Sequence, residues 1–302
     1  QSAPEAAKPA DELAIGEAGM RTDSTGVSPE ARAAQEWRRI AGMRDEDVSL
    51  AEGALWIAAE EYPDLIVDEH LARLHEMAAR LRGRLRADVA TAEKLLALNH
   101  YLFDELGFSG NTDDFYDPRN SYLNEVLERR LGIPITLGVV YIEVGRRIGI
   151  GLHGVSFPGH FLVKCALRDG VVVLDPYSRG VSLGVDELQQ RLRAAGSEGE
   201  VDEAILGHLL SAASNKEVLA RMLRNLKGVY SRQSDWLRAL SSSERLIALM
   251  PDDAGEEYRD RGGIYLKLEC FRAALGDFGT YLKQCPGAPD AESIRTQVAE
   301  LA

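Results

Sequence analysis

His160 and Asp175 are the two residues whose types and positions in this sequence suggest chemistry. His160 lies in an apolar run at residues 154–167, and Asp175 directly follows a second run at residues 171–174, both typical of β-strands. A histidine can act as a base near neutral pH, and a neighbouring carboxylate can fix its tautomer. The Arg-Asp-Gly sequence at residues 168–170 predicts a hairpin turn, and so two antiparallel strands. The two side chains are therefore candidates for lining a common cleft.

The expected strand register limits how closely these side chains approach. A two-residue turn that pairs Arg168 with Val171 would set Lys164 opposite Asp175. His160 would then share the face of Asp175 but lie roughly 13 Å away along the strands. Contact between His160 and Asp175 therefore requires a bulged or asymmetric loop.

Helical patterns surround this pair of strands. An apolar helix is predicted over residues 135–148, immediately before them. In the N-terminal third, apolar periodicity and capping signals predict a layer of helices that begin near residues 29, 49, 67 and 91, with Ser28 as the first N-cap. Residues 110–120 are rich in Asn, Asp, Gly and Pro, which predicts a solvated loop, and their carboxylates lack the spacing of an EF-hand.

A repeat follows the strands, because from Lys216 onward similar residues recur 35 positions apart. The matched pairs are Tyr230 and Tyr265, Trp236 and Phe271, Ala239 and Ala274, Leu240 and Leu275, and Pro251 and Pro286. In the second copy, the positions that resemble the tetratricopeptide (TPR) consensus are Gly262, Tyr265, Ala274, Phe278 and Pro286. Small residues there let paired helices approach while aromatic rings fill the gap. Two units are too few for a free-standing solenoid, so they are expected to pack on the preceding domain.

Composition excludes some classes of partner. The chain carries 35 Lys and Arg against 48 Asp and Glu, a formal net charge of −13, which disfavours non-specific binding to nucleic acid or to an anionic membrane. No apolar run is long enough to span a membrane. The three cysteines have neither disulfide-framework nor CxxC spacing, so reduced thiols are expected. A cytoplasmic location is expected, with export as the alternative if a signal peptide preceded Gln1.

Four short motifs in the sequence resemble those of a known protein family. The segments LGIPITLG, RRIGI, PGHFLV and LDP resemble the transglutaminase-like core of the papain-like superfamily, and their combination with a TPR pair resembles the SirB family of bacterial proteins. The resemblance covers roughly residue 49 to the C-terminus. In active transglutaminase-type enzymes a cysteine at the start of a core helix is the nucleophile, a histidine on the next strand activates it, and an aspartate orients the histidine. His160 and Asp175 match that histidine and aspartate.

The family nucleophile has no match. By this resemblance the cysteine falls near residues 134–136, where the helix dipole would lower the pKa of a thiol, but this chain has Pro-Ile-Thr. Cys165 is an odd number of residues from His160 on the same run, and so points to the opposite face. Thr136 is the only hydroxyl in that window, and a neighbouring base can activate an alcohol, although such a hydroxyl more often bonds a backbone carbonyl or caps a helix. Ser121 is a second hydroxyl, expected to cap a helix at residues 122–130.

Together these observations predict an α+β fold. The expected regions are a disordered tail (1–28), an N-terminal helical layer (29–109), a transglutaminase-like core with a small antiparallel sheet on a central helix (110–200) and TPR-like repeats (201–302). The expected function is a protein-interaction or regulatory module that binds a protein or peptide partner through the core cleft and the repeats. The alternative is an amide-bond hydrolase or acyltransferase that uses Thr136 as nucleophile, His160 as base and Asp175 as orienter. No cofactor or metal site is implied.

Overall fold

The computed structural model describes residues 27–196 and 202–301, so most of the predicted tail lies outside the described residues. The N-terminal layer consists of α1 (Pro29–Gly42), α2 (Leu50–Ala58), α3 (Val67–Arg82) and α4 (Thr91–Asn99), and a π-helical turn (His100–Glu105) extends α4. The Ser28 hydroxyl accepts a hydrogen bond from the Ala31 amide at 3.2 Å and caps α1 as predicted. None of the described helices is long and apolar enough to cross a membrane.

The central helix of the fold is α6 (Pro134–Arg147), which follows the shorter α5 (Leu123–Arg129). Its residues from Ile135 to Gly145 are all buried, and a helix that is buried on every face forms the centre of a core. Close packing against the residue before β4 depends on Gly138, because a Cβ there would lie 2.6 Å from the Phe161 ring. The core of the molecule therefore surrounds α6.

A four-stranded antiparallel sheet covers one side of α6. Its strands are β3 (Leu152–Val155), β4 (Leu162–Leu167), β5 (Gly170–Asp175) and β6 (Val181–Leu183), paired in chain order. The short strands β1 (Ser109–Gly110) and β2 (Leu131–Gly132) pair in parallel elsewhere. A second apolar cluster joins the sheet to α7 (Val185–Ala194) and α8 (Glu203–Leu209). The predicted α+β fold, with a small antiparallel sheet on a central helix, is confirmed.

Two details of the predicted hairpin are wrong. Residues 154–167 do not form one strand, because a turn separates β3 from β4. Leu167 pairs with Gly170, and Lys164 pairs with Val173 rather than with Asp175, so the register differs from the predicted one by two residues. Gly170 has a φ of 140°, which glycine adopts without strain, and β5 therefore starts directly after the two-residue loop.

The C-terminal region consists of helical hairpins. They are formed by α9 (Asn215–Arg232) with α10 (Trp236–Leu249) and by α11 (Gly255–Lys267) with α12 (Phe271–Gln284), followed by α13 (Ala291–Leu301). The repeated residues Trp236 and Phe271 start the second helix of each hairpin. A Cβ at Gly262 would lie 2.6 Å from the Phe278 ring, so the small and aromatic positions of the repeat pack against each other as predicted.

The hairpins pack on the N-terminal layer, as expected for so few repeats. A Cβ at Gly53 in α2 would lie 2.5 Å from the Leu219 side chain of α9. The Trp37 indole of α1 donates a hydrogen bond to the Arg245 carbonyl of α10 at 3.2 Å. This packing makes α9 one wall of the cleft described next.

Candidate functional site

His160 and Asp175 are in direct contact, with His160 Nε2 2.9 Å from Asp175 Oδ1. His160 lies in the turn before β4, and Asp175 is the last residue of β5. The observed register brings Asp175 beside the start of β4, where the turn presents the imidazole ring. The separation of roughly 13 Å expected from strict pairing is therefore wrong, because the hairpin register is shifted by two residues and His160 lies in a turn before β4 rather than in the strand.

Backbone bonds and one arginine hold that turn. The His160 amide donates to the Phe157 carbonyl at 3.1 Å, and Gly159 has a left-handed φ of 67°. From α9, the Arg221 guanidinium donates to the Phe157 carbonyl at 3.1 Å and to the His160 carbonyl at 2.7 Å. Arg221 therefore positions the backbone of His160, although it lies about sixty residues later in the chain.

Asp175 is fully buried and has several hydrogen-bond donors around it. Its carboxylate accepts from the Tyr177 amide at 3.0 Å, from the Ser178 hydroxyl at 2.8 Å and from the Arg191 guanidinium at 2.7 Å. Burial opposes ionisation, but the hydrogen bonds from His160 and Ser178 and the charges of His160 and Arg191 outweigh it and lower the pKa of Asp175 to about 2. With Asp175 ionised, His160 Nε2 donates the shared hydrogen, which in the neutral ring leaves Nδ1 as the acceptor.

Thr136 is not brought together with this pair. Its fully buried hydroxyl donates to the Asn120 carbonyl at 2.7 Å and accepts from the Ile133 amide at 3.1 Å. Among the described residues no hydrogen bond joins Thr136 to His160. The hydroxyl therefore has the structural role that sequence reasoning favoured for it, which is to bond a backbone carbonyl and to cap α6.

A cleft of about 330 Å³ opens beside His160, between the core and α9. The start of α6 contributes Pro134 and Ile135 to the lining. Apolar side chains therefore border the cleft at residues 134–136, where the resemblance places the family cysteine. The full lining is Phe115, Tyr116, Ser121, Ile133, Pro134, Ile135, Gly159, His160, Phe161, Arg221, Arg224, Asn225, Gly228, Val229 and Arg232. Residues from four distant parts of the chain, 115–121, 133–135, 159–161 and 221–232, therefore line one cavity.

Ser121 belongs to this lining, and its predicted role as a helix cap is wrong. It lies in a 3₁₀ turn (Pro118–Ser121), while Tyr122 is the N-cap residue of α5 and makes no side-chain capping bond. Within the part of the chain that the structure describes, the Ser121 hydroxyl has no hydrogen bond to a protein group. Sequence reasoning missed the cleft position of Ser121 because the serine stands next to a helix start, where capping is the usual role.

The cleft is positively charged. Its lining includes Arg221, Arg224 and Arg232, and no Asp or Glu contributes to the lining within residues 27–196 and 202–301. Arg224 donates to Glu257 at 2.8 Å, whereas the Arg232 guanidinium lies over the Tyr116 ring, 4.5 Å from its centroid. The spacing of these arginines along one face of α9 was a signal in the sequence, but nothing local showed that this face meets His160.

The cysteines lie away from the cleft. Cys165 is buried in β4, and burial raises the pKa of its thiol, which opposes thiolate formation. Cys270 is exposed at the start of α12, and Cys285 follows the end of the same helix. In the described part of the chain, therefore, no thiol lines the cavity beside His160.

Comparisons with known proteins agree with this architecture. Residues 68–224 match the model of the transglutaminase-like superfamily, and residues 226–299 match a tetratricopeptide repeat model. The UPF0162 protein of Xylella fastidiosa (strain Temecula1) is 42% identical over 88% of this chain and 94% of its own length. The UPF0162 protein of Vibrio cholerae is 33% identical over 85% and 95% of the two chains, and protein SirB1 of Salmonella typhimurium is 30% identical over 88% and 97%. The chain thus belongs to the family of the UPF0162 and SirB1 proteins, and it joins a transglutaminase-like core to tetratricopeptide repeats.

Proposed function

We propose that this protein is an interaction module that binds an extended segment of a partner protein in the cleft between the transglutaminase-like core and α9. One observation carries the proposal: the cleft keeps an oriented His160, while Pro134 and Ile135 border it where the family nucleophile would stand. Without a cysteine in its lining, the described cavity is better suited to binding a ligand than to forming a thioester with it.

The composition of the cleft supports peptide binding. Phe115 and Tyr116 line the cavity and remain 42% and 49% exposed, and arginines line its α9 side. Aromatic and arginine side chains are enriched where proteins bind one another. Tetratricopeptide repeats generally mediate contacts between proteins, and the last part of α9, where the repeat match begins at residue 226, contributes Gly228, Val229 and Arg232 to the cleft lining.

Gly228 offers a direct test, because it lines the cleft and an added Cβ would meet no atom within 4 Å. In Gly228→Leu the new side chain would take up space at the α9 wall of the cleft, and replacing a glycine inside a helix raises helix propensity. The matched control is Gly276→Leu, at an exposed position of α12 that is equally open and outside the lining.

The measurement is binding of the labelled protein to an array of unstructured random-sequence peptides. We expect a subset of peptides to bind the wild type and Gly276→Leu, with binding weakened by about tenfold or more in Gly228→Leu. The proposal would be abandoned if no peptide bound the wild type, or if Gly228→Leu bound the same peptides equally well.

The contact between His160 and Asp175 favours a second candidate function, an amide-bond hydrolase or acyltransferase. Thr136 was the expected nucleophile, but its bonds to Asn120 and Ile133 weigh against that role. Ser121 carries an aliphatic hydroxyl and lines the same cleft as His160. The test is to incubate peptides and an amine with the wild type or with one of the variants Ser121→Ala, Thr136→Ser and His160→Ala. Mass spectrometry then detects hydrolysed or amine-linked peptide. Turnover abolished by Ser121→Ala and His160→Ala would support catalysis, whereas no turnover by the folded wild type would leave binding as the function.

A further inference from the structure

We infer that the ligand of this cleft is an acidic peptide, an extended segment in which two carboxylates about five residues apart bind Arg221 and Arg232. The inference rests on the proposed function, since it specifies the chemistry of the segment that the cleft binds. It follows from the charge of the cleft, from the contacts of these two arginines and from the distance between them.

The charge of the cleft is opposite to that of the chain. The protein has a formal net charge of −13, yet the charged side chains that line the cleft within residues 27–196 and 202–301 are Arg221, Arg224 and Arg232, beside His160. Arg224 is paired with Glu257. The described contacts of the other two, Arg221 and Arg232, include no carboxylate. Electrostatic complementarity therefore favours an anionic ligand.

Arg221 is the arginine nearest to His160 in the hydrogen-bond network. It donates to the carbonyls of Phe157 and His160, and burial lowers the pKa of its guanidinium, which reflects the cost of desolvating the charge. A partly buried cation is costly unless an anion compensates it, and a guanidinium has five N–H donors, more than two carbonyls use. A ligand carboxylate would supply that compensation.

Arg232 occupies the other end of the cleft. Its guanidinium lies 4.5 Å from the centroid of the Tyr116 ring, and such stacking on an aromatic face restricts the orientation of the plane. The N–H groups at the edge of a guanidinium suit bidentate binding of a carboxylate. Within the described part of the chain, Arg232 has no carboxylate partner.

The distance between the two arginines sets the length of the ligand. Arg221 and Arg232 are eleven positions apart on α9, which corresponds to about 16 Å at a rise of about 1.5 Å per residue. An extended peptide advances about 3.3 Å per residue, so about five of its residues cover that distance. Between the arginines lies Gly228, where no side chain obstructs the groove.

The test uses fluorescein-labelled peptides of about twelve residues in a Gly-Ser-Ala background, measured by fluorescence anisotropy. One peptide carries two glutamates five positions apart, and its comparators carry two glutamines at the same positions or two adjacent glutamates. We expect the spaced glutamate peptide to bind at least about tenfold more tightly than either comparator, with an affinity that falls as salt rises.

Arg232→Gln is the main variant, because the described contact of Arg232 is a ring near the protein surface and its loss leaves the His160 turn intact. We expect it to reduce the preference for glutamate over glutamine by about tenfold. The control is Arg86→Gln, whose side chain is 82% exposed and lies outside the cleft lining, and which should keep the full preference.

The outcomes separate the two proposals. If random-sequence peptides bind in a manner sensitive to Gly228→Leu but the glutamate and glutamine peptides bind equally, the acidic-ligand inference fails and the proposed function stands. Failure of every peptide to bind overturns both. Inorganic phosphate that displaces the glutamate peptide far better than chloride at matched ionic strength would assign the arginines to a phosphate group and overturn the choice of carboxylates.

Discussion

The Thr136 hydroxyl donates a hydrogen bond to the Asn120 carbonyl oxygen, 2.7 Å away, and thereby ties the first turn of α6 to the 3₁₀ turn before α5. The same oxygen accepts from the Ile133 amide at 3.1 Å. Both partners are backbone groups in the interior of the protein. The Thr136 hydroxyl therefore stabilises the backbone that forms this wall of the cleft.

Replacing Thr136 with Val should destabilise the fold. The methyl group that replaces the hydroxyl leaves the Asn120 carbonyl and the Ile133 amide without this partner, which costs about 1–3 kcal/mol. Thr136→Ser keeps the hydroxyl and should lose clearly less. Urea unfolding monitored by circular dichroism measures the difference. Equal stability of the Val and Ser variants would contradict the structural role of the hydroxyl.

Asp175 should make the stability of the protein depend on pH in the acid range. Its pKa of about 2 in the folded state lies below the ordinary value of 3.8, so folding favours the ionised form. That contribution, about 2 kcal/mol, is fully present above about pH 4 and is lost as the pH falls towards about 2.

The variant Asp175→Asn tests this contribution. Its deficit in unfolding free energy relative to the wild type should be largest near neutral pH and should shrink below about pH 4. Urea unfolding over a pH series provides the measurement, with Asp169→Asn in the exposed hairpin loop as a control for the loss of one negative charge. A deficit that stays constant across the series would argue against the low pKa.

Two helix glycines should respond in opposite directions to alanine. A Cβ at Gly262 would lie 2.6 Å from the Phe278 ring, so Gly262→Ala must displace a packed aromatic side chain and should cost about 1–3 kcal/mol. At Gly228 the Cβ meets open space, and Gly228→Ala should gain up to about 1 kcal/mol from helix propensity. Thermal unfolding distinguishes the two. A fall in melting temperature for both variants would show that the space at Gly228 is needed for packing.

The hydroxyl groups of Tyr122 and Tyr230 should couple the core to the first repeat. They lie 2.5 Å apart, and burial raises the pKa of both phenols, that of Tyr230 to about 12, so both stay protonated at neutral pH. A double-mutant cycle of Tyr122→Phe and Tyr230→Phe should give a coupling free energy of about 0.5–1.5 kcal/mol. Strictly additive effects on urea unfolding would show that the two hydroxyls act independently.

Features that show as a local pattern or as a repeat in the sequence could be predicted. The recurrence of Trp236 at Phe271 located the helical hairpins, because equivalent helices of a repeat need equivalent side chains. The capping role of Ser28 and the buried position of α6 also followed from local pattern. His160 and Asp175 were identified as candidates because one lies within an apolar run and the other directly follows the next run, whatever the register between the runs.

The rest depended on tertiary structure. The contact between His160 and Asp175 required a register that Gly170 and the turn before β4 determine, and strict pairing gave a different answer. Arg221 and Arg232 became cleft residues only because α9 packs against the core, far away in the chain. The sequence by itself determined the main helices and the candidate pair, since helix periodicity and capping act within about four residues. The tertiary structure alone decided the charge and the shape of the cleft, because these arise from side chains that long-range packing brings together.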